Sequence, residues 1–417
     1  MREADGVTGQ LVAMNTDGIA LTSDSTVNGE TWQNSVNKLF GLSDEHSIGV
    51  MVYGTASMFQ TPWETLIQDY KSKLPKPFAT VNEYAEDFLQ FLDQHEYQEY
   101  MAEANEIVYA EDSLYILLMK LYKDLTNMKM RLYSDEYMLL PQGEFQEIYL
   151  QHAEAYLDNQ IQRMNEKDFP IGFTARDYEC LTAKYTEKIT QMVFRTFEFH
   201  LYRIEWLEKI IHLLSCSLMK NFFNKLSGVI FTGYGSHESL PSMCVLSIDG
   251  KLNNKIKYHV RNKTISHSTP GAIFPFGERD TLKILLTGIR GEMISSIAPF
   301  LKKEVNRLSV ILVSELKSHL KTESDSGVIV TELSNALMQI HQQYQKELPH
   351  YECQKFSDPI VGFLESLSVT ELAYLSETLL KAASLKKKIS KSMEMVSDPV
   401  EVAMITKSGG FKWIKKE

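Results

Sequence analysis

Thr8-Gly9-Gln10-Leu11-Val12-Ala13-Met14-Asn15-Thr16-Asp17-Gly18-Ile19-Ala20-Leu21-Thr22-Ser23-Asp24-Ser25 is the stretch whose reading decides the fold. Two short apolar runs, Leu11 to Ala13 and Ile19 to Leu21, flank Asp17-Gly18. Asp-Gly supplies the positive φ that a tight turn needs, so the stretch predicts a β-hairpin. A second hairpin follows, with Lys38-Leu39-Phe40-Gly41-Leu42 and Ile48 to Tyr53 as its strands and Ser43-Asp44-Glu45-His46 as its turn. Gly54-Thr55-Ala56-Ser57 then leads to a helix from Pro62, where proline suits the first turn.

Outward from this core the pattern changes twice. Residues 57 to about 225 have the spacing of helices: Pro62 to Tyr70, Val81 to Glu96, Ser113 to Met130, Phe145 to Met164, and one long helix from Thr186 to Lys225. The apolar stripe Phe197, Leu201, Ile204, Leu207, Ile211, Leu214, Leu218 and Phe222 demands burial, so this region is expected to pack as a helical subdomain. Thr174 with Asp177 has the form of a capping box. Strands return at Gly228 to Gly233, at Met243 to Ile248, at Ile256 to Val260 after an Asp249-Gly250 turn, and at His267 to Ile273. Helices are predicted again over Asp280 to Leu320, Val330 to Lys346, and from the Ser368–Glu371 capping box to about Ser390. Pro399 to Thr406 and Phe411 to Lys415 close the chain as a hairpin.

Composition narrows the function classes. The 417 residues are 44% hydrophobic, enough for a sizeable core, and the net charge of −11 argues against nucleic acid or an anionic membrane as partner. The cluster Lys386-Lys387-Lys388 with Lys391 is too small to reverse that and reads as a solvated helix end. No apolar run approaches the ~20 residues of a membrane span, and Met1 to Val7 is too polar for a signal peptide. Cys180, Cys216, Cys244 and Cys353 are widely separated and are expected as buried thiols of a cytoplasmic protein. The eleven histidines show no metal-ligand spacing, so neither metal nor cofactor is expected.

The order Thr8, Asp17-Gly18, Asp24-Ser25, Lys38-Leu39-Phe40 and Gly54 resembles the proteasome-type N-terminal-nucleophile (Ntn) hydrolases. Thr8 and Asp24 stand 16 positions apart, the family spacing of nucleophile and aspartate, whereas Lys38 arrives about two residues early. The resemblance covers roughly residues 8–95, 226–295 and 396–417, and it implies a turn at Phe274-Pro275-Phe276-Gly277 after the second group of strands. It implies an α+β fold, a four-layer αββα sandwich. In that reading residues 1–7 are a propeptide or extension, 8–99 the first part of the core, and 100–225 a helical insertion. Residues 226–417 are the second part, with extra helices over 280–395 and the closing hairpin over 399–415.

The resemblance also implies a chemistry. Thr8, freed at its amine, would be nucleophile, with the α-amine taking its proton. Lys38 would lower the hydroxyl's pKa, Asp24 would hold that lysine charged, and Gly54 or its neighbour would supply an oxyanion donor. The chain departs from the family at Val7, where the family cuts after glycine, and near the final hairpin, where Glu394 and Ser397 stand in for an aspartate and a serine. Two functions therefore stay open. One is a threonine-type peptidase or amidohydrolase acting on a peptide or amide. The other is an inactive Ntn-fold scaffold or sensor that works through its helical insertion. The helical bulk favours a small homo-oligomer or a protein partner over a ring barrel.

Overall fold

The structure is a computed structural model that describes residues 9–24, 37–93, 103–135, 140–197, 201–220, 227–287, 358–391 and 400–416. Residues 44, 56, 59, 60, 75 and 278 are excepted, and only scattered positions are described between 288 and 357. The expected helix Val330 to Lys346, most of Asp280 to Leu320, and Glu394, Ser397 and Cys353 lie outside the described residues.

The fold is α+β. Sheet 1 has the order β10-β1-β2-β11-β12, built from β1 (Gly9–Asn15), β2 (Gly18–Asp24), β10 (Gly271–Gly277), β11 (Val400–Thr406) and β12 (Gly410–Lys415). All of its pairings are antiparallel. Sheet 2 has the order β3-β4-β7-β8-β9, from β3 (Leu39–Ser43), β4 (His46–Tyr53), β7 (Ser227–Gly233), β8 (Ser242–Leu252) and β9 (Lys255–Thr264). A small hairpin that the sequence does not announce, β5 (Ser57–Met58) with β6 (Thr61–Pro62), precedes the first helix.

The chain divides into two compact units. The first comprises residues 1–51, 232–242 and 263–417, and the second residues 52–231 and 243–262. In the first unit the hairpin β3–β4 lies against one face of sheet 1. Gly41 and Gly49, paired across that hairpin, make the room: a Cβ on Gly41 would meet the Phe411 ring, and one on Gly49 would meet Leu21, Ile405 and Phe411. Helix α9 (Val369–Lys391) covers the other face of sheet 1. Its Leu372, Ala373, Leu380 and Ala383 are buried with Leu11, Ala13, Ala20 and Val402. The Ser368–Glu371 capping box opens α9 as the sequence predicts, with both side chains bonding reciprocally. Helices α7 (Arg279–Thr287) and α8 (Asp358–Glu365) flank the same sheet. Asn15 ties the β1–β2 turn down by donating to the carbonyls of Leu364 and Leu367.

The second unit is mainly helical. Helices α1 (Trp63–Lys73) and α2 (Val81–Asp93) pack Tyr70 and Phe88 around Phe231 of β7. Four further helices, α3 (Glu103–Asp135), α4 (Gln142–Asn165), α5 (Ala175–Thr196) and α6 (Leu207–Met219), bury a core of their own around Leu118, Leu125, Leu157, Ile189, Val193 and Ile210.

Several expectations need correction. The predicted helix Thr186 to Lys225 is two helices: α5 ends at Phe197 in an extended conformation, and a 3-10 turn at Ile204–Trp206 opens α6. At Phe197 an aromatic side chain, which loses rotamer freedom in a helix, coincides with the extended residue that ends α5. The Asp249-Gly250 turn is strand interior, and the chain turns instead at Asn253-Asn254, both at positive φ. Phe274 to Gly277 is not a turn but the end of β10, paired with β1 from Phe274↔Val12 to Gly277↔Gly9. Pro275 is tolerated there because β10 is an edge strand, where a missing N–H breaks no ladder on the open side. Cys180 is exposed, whereas Cys216 and Cys244 are buried as expected.

Candidate functional site

Asp24 ends β2 and Lys38 immediately precedes β3, so each stands where its strand begins or stops pairing. Both are buried, at 5% and 8% exposure. The Lys38 ammonium donates to the Asp24 backbone carbonyl at 2.9 Å and lies 3.3 Å from Asp24 Oδ1. Asp24 Oδ2 accepts the backbone N–H of Gly9 at 2.7 Å. One carboxylate therefore fixes both the lysine and the backbone amide that follows Thr8. Gly9 has no room for a side chain, because a Cβ there would come within 2.5 Å of Leu380 Cδ1 on α9 and would face Asp24 Oδ2 at 3.6 Å. Ser23 Oγ donates to the same Asp24 carbonyl at 3.1 Å, so hydroxyl and ammonium share one oxygen.

Of the four residues singled out from the sequence, Asp24 and Lys38 come together in the first unit. Thr8 lies outside the described residues. Gly54 belongs to the second unit, follows β4, and is exposed at φ 87, a backbone conformation that favours glycine whatever its role.

Sequence reasoning overlooked a polar row beside this pair. Gln10, Ser23 and Glu401 are opposite one another on β1, β2 and β11, and all three are buried. The available signal was a polar residue inside each of two apolar runs, Gly9-Gln10-Leu11-Val12 and Val400-Glu401-Val402-Ala403.

Two other polar clusters lie in the second unit. Tyr109 donates to Asp249 at 2.6 Å, and Lys257, wholly buried, is 3.2 Å from Asp249 and donates to the Leu218 carbonyl. Burial pushes the Tyr109 hydroxyl up and the Lys257 ammonium down, the latter opposed by Asp249. This network joins α3, α6, β8 and β9 and has the chemistry of a structural clasp. The second cluster sets Cys216 beside His212 and Asn165, with Tyr178 bonded to His212 Nδ1 at 2.8 Å. Cys216 Sγ stands 3.6 and 3.9 Å from the two ring nitrogens. The near-equal distances single out neither nitrogen as the partner of the thiol. Burial raises the thiol and lowers the imidazole, so the pair is neutral and the thiol is no activated nucleophile.

Among the described residues no group of three or more His, Cys, Asp or Glu side chains could hold a metal ion, and no helix is long and apolar enough to cross a membrane. No protein-family model and no curated protein matches the chain, so the reading of the site rests on its own geometry.

Proposed function

We propose that the chain is a proteasome-like Ntn hydrolase, a threonine-type peptidase or amidohydrolase with Thr8 as nucleophile once residues 1–7 are removed. The observation that carries the reading is the buried Asp24–Lys38 pair with Asp24 also bound to the Gly9 amide. An N-terminal hydroxyl needs a positive charge to lower its pKa and a neutral amine to take its proton. An α-amine of pKa about 7.7–8.0 suits that task near neutrality. Lys38 is the charge, Asp24 keeps it ionised, and the Gly9 clamp fixes the backbone beside the nucleophile. The packing of β3–β4 on one face of sheet 1 and of α9 on the other supports the αββα sandwich that this chemistry uses. Gly54 is the candidate oxyanion donor.

The test is a chain made to begin at Thr8, exposed to a threonine-directed electrophile and to peptide and amide substrates. Single labelling at Thr8, abolished by Thr8→Ala and reduced at least about 100-fold by Lys38→Ala, is the expected result. Absence of both labelling and hydrolysis overturns it. Val7 favours a second reading, an inactive Ntn-fold scaffold in the cytoplasm, because a β-branched residue resists the strained backbone that self-cleavage uses. An intact mass that retains Met1 or Arg2 in the purified protein supports that second reading.

A further inference from the structure

The face of sheet 1 that meets β3–β4 is chemically graded from one end to the other. Its side chains run in cross-strand rows. One row is Ala272, Met14, Ile19 and Ile405, and the next is Phe274, Val12, Leu21 and Ala403. Both are apolar, and Leu21 and Ile405 close against Gly49 of β4. The third row is Phe276, Gln10, Ser23 and Glu401. Here three adjacent strands turn polar while staying as buried as the apolar rows, with Gln10 and Ser23 at 0% and Glu401 at 2% exposure. A buried polar side chain forfeits burial free energy that an apolar one would contribute, and a buried carboxylate forfeits most. On the described part of this face the sacrifice falls in one row, and it is the row of Ser23, the residue before Asp24. Ser23 is the physical link. It is the cross-strand partner of Glu401, and its hydroxyl lies on the same Asp24 carbonyl oxygen as the Lys38 ammonium.

We propose that Glu401 and Ser23 are positioning residues of this site: Glu401 is a second carboxylate beside Lys38, and Ser23 braces the Asp24 carbonyl on which Lys38 rests. The proposal rests on the reading of Lys38 as the charge that activates Thr8. Two carboxylates around one ammonium make Lys38 a fixed positive charge and remove it as a proton acceptor. The proton of the nucleophile then goes to the α-amine.

Lysine-selective ¹³C labelling of the full chain, with the Lys38 signal assigned through Lys38→Arg, reads the pH at which Lys38 loses its proton. Glu401→Gln is expected to lower that proton affinity about tenfold, and Ser23→Ala to lower it by a smaller factor. An unmoved midpoint in Glu401→Gln overturns the proposal, including the case where only thermal stability falls. So does a Lys38 that keeps its proton beyond about pH 11 in both chains. Where Glu401→Gln does not fold, Ser23→Ala carries the same comparison. The titration needs no turnover, so it separates the two claims. A moved midpoint in a chain whose Thr8-initiated form reacts with no electrophile upholds the positioning and overturns the hydrolase reading. A reactive Thr8 with an unmoved midpoint does the reverse.

Discussion

Asp24 carries three duties at once: it accepts the Gly9 amide, faces the Lys38 ammonium, and offers its own carbonyl to Lys38 and Ser23. Removing it takes one counter-charge from a buried ammonium and the carboxylate acceptor from the Gly9 N–H. Asp24→Ala is therefore expected to destabilise the protein by about 3–5 kcal/mol, as is usual when one partner of a buried pair is lost. Urea unfolding measures it, and a loss under about 1 kcal/mol would contradict the geometry. At this scale the sequence was informative where spacing alone sufficed. Asp24 and Lys38 fall at chain positions that bring two strand ends together, and their pairing follows. Glu401 was not legible, because its distance in sequence hides that β11 pairs with β2. Nor was the burial of Asp249. Asp-Gly reads as a turn, and only the three-dimensional neighbours Tyr109 and Lys257 reveal a carboxylate inside a strand.

Elements were legible where local chemistry decides them and obscure where pairing does. Both capping boxes, at Thr174 and Ser368, begin helices as the sequence predicts. The β10 register was missed because Pro275 reads as a turn unless one knows that its strand lies at an edge. The cap of α5 does more than start a helix. Asp177 accepts the Thr174 N–H and hydroxyl and is also held by Asn253 and by Lys255 at 2.8 Å, which ties α5 to the β8–β9 turn. The Lys255 hydrogen bond, then Thr174 and Asn253, hold this carboxyl far below the usual carboxylate range against the opposing effect of burial. A carboxyl depressed in the folded state contributes stability that is complete above its unfolded pKa of about 3.9 and fades as pH falls toward its folded value. Asp177→Asn is thus expected to lower stability at pH 7 and to flatten the loss of stability below about pH 4. Urea midpoints taken from pH 7 down to about pH 2 check the sign. A variant that loses stability in acid as steeply as the parent would show that Asp177 is not the titrating group.

For the molecule as a whole, composition promised a large core and the structure divides it. The helices α3–α6 close around Leu118, Leu125, Leu157, Ile189 and Ile210, whereas sheet 1 and α9 close around Leu11, Ala20, Leu372, Leu380 and Val402; the two clusters share no residue. The periodicity of the long helical stretch called for its own burial, and that much could be read from the sequence. The break between α5 and α6 could not, since a stripe at threes and fours is the same whether one helix or two present it. Separate cores make a separable prediction. Leu157 has no exposed surface and belongs to the helical cluster alone. Leu157→Ala deletes three buried carbons and leaves a cavity, at a cost of about 2–5 kcal/mol. If the helical core is its own cooperative unit, that cost falls on its local opening. Hydrogen exchange should then quicken across α3–α6, with the amides of β1 and β2 as the internal reference that keeps its parental rate. Equal acceleration in all of these elements would show that the molecule opens as one, and that the two clusters, though chemically distinct, are energetically a single core.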